Sequence, residues 1–192
     1  MTQRAIYSKG RIIEAAVTLT REQGWAAVTA RNIAKQLSCS TMPIYSSLKS
    51  MGGIEREVRR RAEDLMLDCQ RKRYTHDPAL NAALGYVNFA RNEPNLFLFL
   101  YVDRPVRMRR GDIKGEAALS SRDVFAGARI PRLADQVPTA MQDPRILKCW
   151  IFIHGLASMI GTGVLDLTER RIRSLIIEAG GALFGPRGGE NE

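Results

Sequence analysis

Side chains that could bind an anion or read a base edge are concentrated between residues 29 and 49 of the 192-residue chain. Hydroxyl groups and a lysine there suit phosphate oxygens, and the Arg31 guanidinium can donate two parallel hydrogen bonds to the edge of guanine. The small and apolar side chains between them suit thymine methyl groups and the shape of a groove. We predict that this chemistry is DNA binding by Thr29, Arg31, Ser40, Thr41, Met42, Pro43, Tyr45, Ser46 and Lys49.

Two short helices separated by a polar turn must position these side chains. Thr29 is a good N-cap for the first helix, whose apolar positions share one face. Residues 37–40 break this period, and we expect Ser40 to cap the second helix. Pro43 is tolerated because it falls within the first turn of that helix. Two short helices joined in this way form a helix-turn-helix, which places its second helix in the DNA major groove.

The net charge of +9 is unevenly distributed along the chain. Residues 1–50 contain seven lysines and arginines against two glutamates, which gives a local charge of +5. This excess of cations around the candidate motif favours a polyanionic partner. On charge alone, a basic surface that only keeps the protein in solution is an equal alternative.

Cysteine and histidine usage argues against a metal site or a disulfide framework. The three cysteines are far apart and lack metal-ligand spacing, and the chain has two histidines. The N-terminus is too polar for a secretory signal, and the longest uncharged run, residues 149–165, is too short to span a membrane. We therefore expect reduced thiols, no cofactor, no bound metal, no membrane contact and a cytoplasmic location.

Helical periodicity recurs along almost the whole chain, and no alternating run of β-branched residues indicates a sheet. We predict an all-α protein of about nine helices, in which a three-helix DNA-binding domain is joined by a linker helix to a C-terminal bundle. The predicted domains are residues 1–50 with the start of the fourth helix (50–60), residues 51–185 for ligand binding and dimerisation, and a loose tail at 186–192. Beyond the two motif helices, the predicted helices span about residues 8–23, 50–69, 78–92, 94–102, 116–129, 144–165 and 169–184.

The run IIEAAVTLTREQGWAAVTARNIAKQLSCSTMPIYSSLKS carries a family resemblance. Its features are Ile-x-x-Ala-Ala in the first helix, a Glu-x-Gly turn, Val-Thr with Ile-Ala in the second helix, and Ile-Tyr in the third. On these residues, about 10–60, the chain resembles the DNA-binding domain of the TetR family of bacterial transcription regulators. Residues 90–101 (ARNEPNLFLFLY) and 150–158 (WIFIHGLAS) are similar to a TetR C-terminal domain type with a Trp-x-x-x-His-Gly motif.

This resemblance implies a homodimer that binds a palindromic operator and responds to a small-molecule effector. It implies a phosphate contact for Tyr45. It also implies a repressor, because binding without effector and release by it are the dominant mode of the family; activation stays open.

The chain departs from the family pattern after Tyr45. Leu48 stands in place of an aromatic residue, Met51 stands where a second lysine is common, and Gly52-Gly53 open the fourth helix. A glycine costs about 1 kcal/mol relative to alanine in a helix interior, and less in a first turn. We therefore predict a flexible or rearranged start of the fourth helix in the absence of DNA, and DNA contacts there that differ from those of relatives.

The C-terminal helices offer a dimer interface and a ligand pocket. Small residues that allow close helix approach, next to an apolar helical face, predict the interface at Gly155, Gly161, Thr162, Ile172, Leu175, Ile176 and Ala179. The predicted pocket residues are Phe89, Phe97, Tyr101, Trp150, His154 and Ser158, with Phe99, Phe152 and Met159 as further apolar candidates. Aromatic residues at helical spacing are also ordinary core, so packing alone is the alternative for each of them.

Signatures of catalysis are missing from the sequence. It has no nucleophile elbow, no phosphate-binding glycine loop and no His-Glu-x-x-His motif. We therefore predict that the protein is not an enzyme. The alternatives left open are a helical enzyme acting on an anionic substrate, or an adaptor, through the basic loop 104–114. Retention on DNA or heparin at low salt separates the DNA-binding hypothesis from the enzyme, and deletion of residues 104–114 without loss of DNA affinity tests the adaptor.

Overall fold

A computed structural model describes residues 8–48, 50–103 and 144–184. Within these ranges the chain forms eight α-helices, a 3₁₀ turn and a π-helical turn, with no strand, so the predicted all-α class is confirmed. Four predicted features lie outside the described residues, namely Lys49, the loop 104–114, the helix at 116–129 and the tail 186–192. The α-helices are α1 (Lys9–Gln23), α2 (Ala30–Gln36), α3 (Met42–Leu48), α4 (Met51–Arg71), α5 (Pro78–Asn92), α6 (Pro94–Leu98), α7 (Pro144–Gly161) and α8 (Glu169–Phe184).

Helix α1 begins and ends at residues suited to those positions. The Ser8 hydroxyl accepts a hydrogen bond from the Arg11 backbone N–H at 3.4 Å, which satisfies one free donor of the first turn. Gly24 ends the helix at φ 79°, in a region that favours glycine, and its N–H donates to the Thr20 carbonyl. A 3₁₀ turn at Trp25–Ala27 then leads toward α2.

The turn between α2 and α3 has a regular hydrogen-bond pattern. Ser38 has φ 52°, and its N–H donates to the Lys35 carbonyl, while the Cys39 N–H donates to the Ala34 carbonyl at 2.9 Å. These two bonds form a Schellman motif with serine in the left-handed position that glycine usually occupies. The chain therefore reverses within a few residues and leads directly into α3.

Helix α4 begins at Met51, after Ser50. The Ser50 hydroxyl accepts a hydrogen bond from the Gly53 N–H at 3.2 Å. Gly52 and Gly53 both lie in the first turn of the helix. The buried apolar stripe of α4 runs through Ile54, Val58, Ala62 and Met66. Leu65 and Cys69, which follow at helical spacing, are half-buried.

The chain divides into two compact units. The first contains residues 8–65 and 93–103 of the described chain, and its helix α1 packs against α2, α3 and α6. The Trp25 and Phe99 rings lie 4.6 Å apart in its core. The Arg59 guanidinium lies 5.2 Å from the centre of the Phe99 ring and donates to the Leu100 carbonyl.

The second unit contains residues 66–92 and 144–184 of the described chain. Helix α7 packs against α5, and α8 packs against both. Gly85 of α5 allows a very close helix approach, because a Cβ at this position would lie 2.4 Å from the Cys69 carbonyl oxygen and the Gln70 Cα. Among the described helices, none is long and apolar enough to cross a bilayer.

Candidate nucleic-acid interface

Helix α3 buries one side and presents the other. Ile44 is 1% exposed and anchors the helix in the core, whereas Met42 is 77% exposed and Tyr45 is 54% exposed. The Ser46 hydroxyl is exposed and donates to the Pro43 carbonyl at 3.1 Å. An exposed face of apolar and hydroxyl groups suits contact with base edges and methyl groups in a groove.

The start of α3 corrects the sequence prediction by one residue. The helix begins at Met42, and the Thr41 carbonyl accepts the bonds from the N–H groups of Ile44 and Tyr45. Thr41 therefore holds the cap position that we had expected of Ser40. The Ser40 and Thr41 side chains are both exposed. The correction therefore concerns the helix boundary only, and both residues stay at the surface beside the exposed face of α3.

The N-terminus of α2 carries two of the predicted contact residues. The Thr29 Oγ1 accepts from the Asn32 N–H at 3.1 Å, which makes Thr29 a cap and leaves its own hydroxyl proton to donate. Arg31 is exposed and makes no ion pair with any described residue. Lys35 is equally exposed one turn further along, on the same face as Arg31. Lys35 was not among the predicted contact residues, although its spacing of four residues from Arg31 was the signal.

Several other cations of this unit are already paired. The Lys9 ammonium donates to the Glu57 carboxylate, and this hydrogen bond holds the pKa of Glu57 below its usual value. Arg21 pairs with Glu93 at 2.7 Å. The basic side chains of the first unit that precede Lys49 and remain unpaired among the described residues are Arg11, Arg31 and Lys35.

Comparisons with known proteins agree with this arrangement. No family model matches the chain. The chain is 25% identical to an uncharacterized HTH-type transcriptional regulator of Mycobacterium tuberculosis, over 83% of this chain and 72% of the relative. Its fold is similar to the crystal structure of a TetR-like transcriptional regulator from Rhodococcus sp. RHA1, with a TM-score of 0.59 at 15% identity over 97% of this chain and 100% of that one. This is a TetR-like fold. The family resemblance predicted from residues 10–60 is thereby confirmed.

The predicted pocket residues of this TetR-like chain fall into two groups. Phe97 and Tyr101 belong to the first unit, where their rings lie 5.0 Å apart and Phe97 is fully buried. The other four, Phe89, Trp150, His154 and Ser158, belong to the second unit.

In the second unit the Tyr86 hydroxyl forms a 2.9 Å hydrogen bond with His154 Nδ1, and the Trp150 and His154 rings stack at 5.1 Å. Burial lowers the pKa of His154, which favours its neutral form. The further candidates also separate, since Phe99 packs on Trp25, and Phe152 and Met159 are exposed.

The predicted dimer residues differ in exposure. Ile172 and Ile176 are buried by their own chain, so they pack within the second unit. Gly155, Gly161, Leu175 and Ala179 are half-buried, and Thr162 is exposed. The large exposed apolar side chains of α7 and α8 are ones the sequence analysis did not assign to the interface, namely Ile151, Phe152, Met159 and Ile177. Periodicity identified the apolar helices but could not tell which side of each helix the chain itself would cover.

Among the described residues, no group of three or more histidine, cysteine, aspartate or glutamate side chains could hold a metal ion. Cys39, Cys69 and Cys149 are free thiols, each half-buried.

Proposed function

We propose that this protein is a sequence-specific DNA-binding transcriptional regulator that works in the cytoplasm as a homodimer. The observation that supports the proposal best is the exposure of α3: Met42 and Tyr45 face outward while Ile44 holds the helix in the core. The HTH-type name of the Mycobacterium tuberculosis relative and the TetR-like fold support the same assignment. This arrangement supports a binding role.

In the proposed complex, α3 enters the major groove and α2 lies across its edge. The Thr29 hydroxyl and the phenol of Tyr45 donate to phosphate oxygens, and Lys49 adds a cation at the end of α3. The long Arg31 side chain reaches a guanine edge at the border of the half-site. Thymine methyl groups meet Met42 and Pro43, since apolar side chains prefer these groups in the groove.

The exposed apolar side chains of α7 and α8 support the proposed homodimer. A single helix-turn-helix covers too little DNA for useful specificity, and dimers contact half-sites about 34–36 Å apart. Ile151, Phe152, Met159 and Ile177 offer an apolar surface that a second copy would bury. Gly155 lies on α7, and a Cβ added there would meet no atom of the described residues within 4 Å. The operator of such a dimer is palindromic.

Regulation by a small molecule is the third part of the proposal. An effector bound in the second unit favours a dimer whose reading helices no longer match the half-site spacing, so the DNA is released. The protein then acts as a repressor.

The experiment begins with selection of bound sequences from random duplex DNA by the purified protein, followed by titrations on the selected site. We expect a palindrome, at least tenfold weaker binding and a relaxed base preference for Arg31→Ala, and weaker binding for Tyr45→Phe with an unchanged slope of log affinity against log salt, because the phenol is uncharged. Arg71→Ala serves as the charge-matched control, because Arg71 is exposed and pairs with Asp68 in the second unit. Failure to enrich any sequence would rule out this function. So would an equal loss of DNA affinity in Arg31→Ala, Tyr45→Phe and Arg71→Ala.

A further inference from the structure

Trp150 places an unsatisfied hydrogen-bond donor inside the second unit. Its indole Nε1 is buried and has no hydrogen-bond partner among the residues that the structure describes. Such groups are uncommon in folded proteins because loss of water without a replacement partner is unfavourable. The second buried side-chain atom of this kind, Gln70 Oε1, belongs to an amide that can rotate to exchange its oxygen and nitrogen. An indole has a single polar group that only donates, so Trp150 requires an acceptor.

The indole is held in place by neighbours of this unit. Its ring stacks on His154 at 5.1 Å with an interplanar angle of 13°. His154 is fixed in turn by the 2.9 Å hydrogen bond between its Nδ1 and the Tyr86 hydroxyl of α5. The direction of the Trp150 N–H is therefore set before any ligand arrives, which lowers the entropy lost on binding.

The surroundings of the donor specify the charge of an acceptor. Trp150, His154 and Ser158 succeed one another at intervals of four residues on one face of α7, and Ser158 is half-buried. These three side chains and Tyr86 carry no charge when His154 is neutral, and burial favours its neutral form. A carboxylate would lose its water here without gaining a cation from any of these four side chains, whereas a ketone or amide oxygen needs only a donor.

We propose that the face of α7 formed by Trp150, His154 and Ser158, together with Tyr86, binds a small uncharged molecule whose carbonyl oxygen accepts the Trp150 N–H. The site deepens the effector-binding part of the proposed function, and it rests on that function for its effect on DNA. The Trp-x-x-x-His-Gly motif then has a physical role, since its tryptophan donates to the ligand and its histidine holds the indole.

The test uses acetophenone and α-methylstyrene, which have nearly the same shape but differ in the carbonyl oxygen. The chain has two tryptophans, so ¹⁵N-labelled full-length protein gives two indole N–H signals, and Trp150→Phe assigns them. We expect saturable binding of acetophenone at millimolar concentration, with a downfield shift of the Trp150 indole proton and little change at Trp25. α-Methylstyrene should bind about tenfold more weakly, because it leaves the donor unsatisfied.

Trp150→Phe should remove the preference for acetophenone, and Tyr86→Phe should reduce it because His154 loses its anchor. Equal affinity for the two compounds, or no saturable shift with acetophenone, overturns the proposed site. DNA affinity is measured on the same wild-type sample without either compound. Loss of binding in that measurement would contradict the regulator function, whereas the comparison of the two compounds bears only on the Trp150 site.

Discussion

His154 and His76 are the two histidines of the chain, and they occupy different surroundings. His76 is exposed and contacts Arg73. His154 is half-buried between the Tyr86 hydroxyl and the Trp150 ring, and burial lowers its pKa. A half-buried imidazole whose neutral form is favoured makes the stability of the second unit depend on pH.

We expect the protein to lose stability as the pH falls below about 6.5, the ordinary pKa of histidine. The pKa of His154 is lower in the folded state, so the unfolded chain takes up the proton first. This contribution is therefore complete above the unfolded pKa and declines as the pH falls toward the folded one. Thermal melts between about pH 7.5 and about pH 5.5 should show a smaller decline for His154→Gln than for the wild type. Parallel curves for wild type and His154→Gln would contradict the prediction.

Gly85 is expected to be the glycine least tolerant of alanine among those whose surroundings the structure describes. The added Cβ would lie 2.4 Å from backbone atoms of Cys69 and Gln70, which cannot move aside as a flexible side chain can. We expect Gly85→Ala to lower the free energy of unfolding by about 1–3 kcal/mol or more. Gly52→Ala is the matched control: its Cβ would be in ordinary contact at 3.8 Å from the Ser50 hydroxyl, and a gain of about 0.5–1 kcal/mol is expected. Urea unfolding of the two variants checks this, and equal losses would show that Gly85 is not a close-contact site.

Single residues were predictable where their role is local and unpredictable where it depends on distant chain. The Thr29 cap and the Gly24 helix end follow from side-chain and backbone chemistry within a few residues. Neither the partner of His154 nor the close approach at Gly85 could be derived in this way, because each depends on how one helix packs against another. The corrected α3 boundary, at Met42 rather than before Thr41, is an error of the size that caps usually give.

At the scale of elements, the short segment from Glu93 to Asp103 is part of the first unit. The sequence predicted one helix over 94–102, and the structure has an α-helix that changes to a π-helical turn at Phe99. Hydrophobic periodicity cannot distinguish these two forms over so few residues. The segment is secured by the Arg21–Glu93 ion pair and by the Asn95 side chain, which donates to the Arg21 carbonyl at 2.9 Å. π-Helical turns are rare and frequently lie at functional sites.

We predict that Phe99→Leu loosens the first unit. Leucine keeps much of the buried volume but loses the ring pair with Trp25 and the contact with the Arg59 guanidinium, at a cost of about 1–3 kcal/mol. Hydrogen exchange of the α1 and α2 amides should become faster. Val102→Ala in the same turn is the control, because Val102 is exposed and its change should stay within about 0.5 kcal/mol. Unchanged exchange in Phe99→Leu would show that the aromatic contact does not stabilise the helix-turn-helix.

At the scale of the whole molecule, the apolar surface on α7 and α8 determines the proposed assembly. The all-α class and the order of helices were predictable, because each helix carries its own periodicity, caps and prolines. The interface itself was predicted partly on side chains that the chain buries, such as Ile172. Apolar residues on opposite sides of a helix look alike in sequence, and only the packed chain shows which side is left exposed.

We expect Ile151→Glu and Ile177→Glu to give monomers in sedimentation at micromolar concentration. Both side chains are more than half exposed, so a charge there disturbs the fold little but would be buried without a partner in a dimer. DNA affinity should fall as well, because a monomer contacts only one half-site of the operator. Val164→Glu, which follows α7 and is also exposed, should stay dimeric. A monomeric wild type, or dimers of unchanged affinity in both variants, would contradict the proposed interface.

Helix α3 carries no charged side chain along its length, whereas unpaired cations occur on α1 and α2. Attraction to bulk DNA depends on charge, and discrimination between base pairs depends on contacts in the groove. The time that the protein spends on non-target DNA should therefore depend on cations outside α3. Helix α3 should contribute only when the protein discriminates between one sequence and another. Its sequence can then diverge and retarget the protein to a new operator without changing how fast the protein searches a genome.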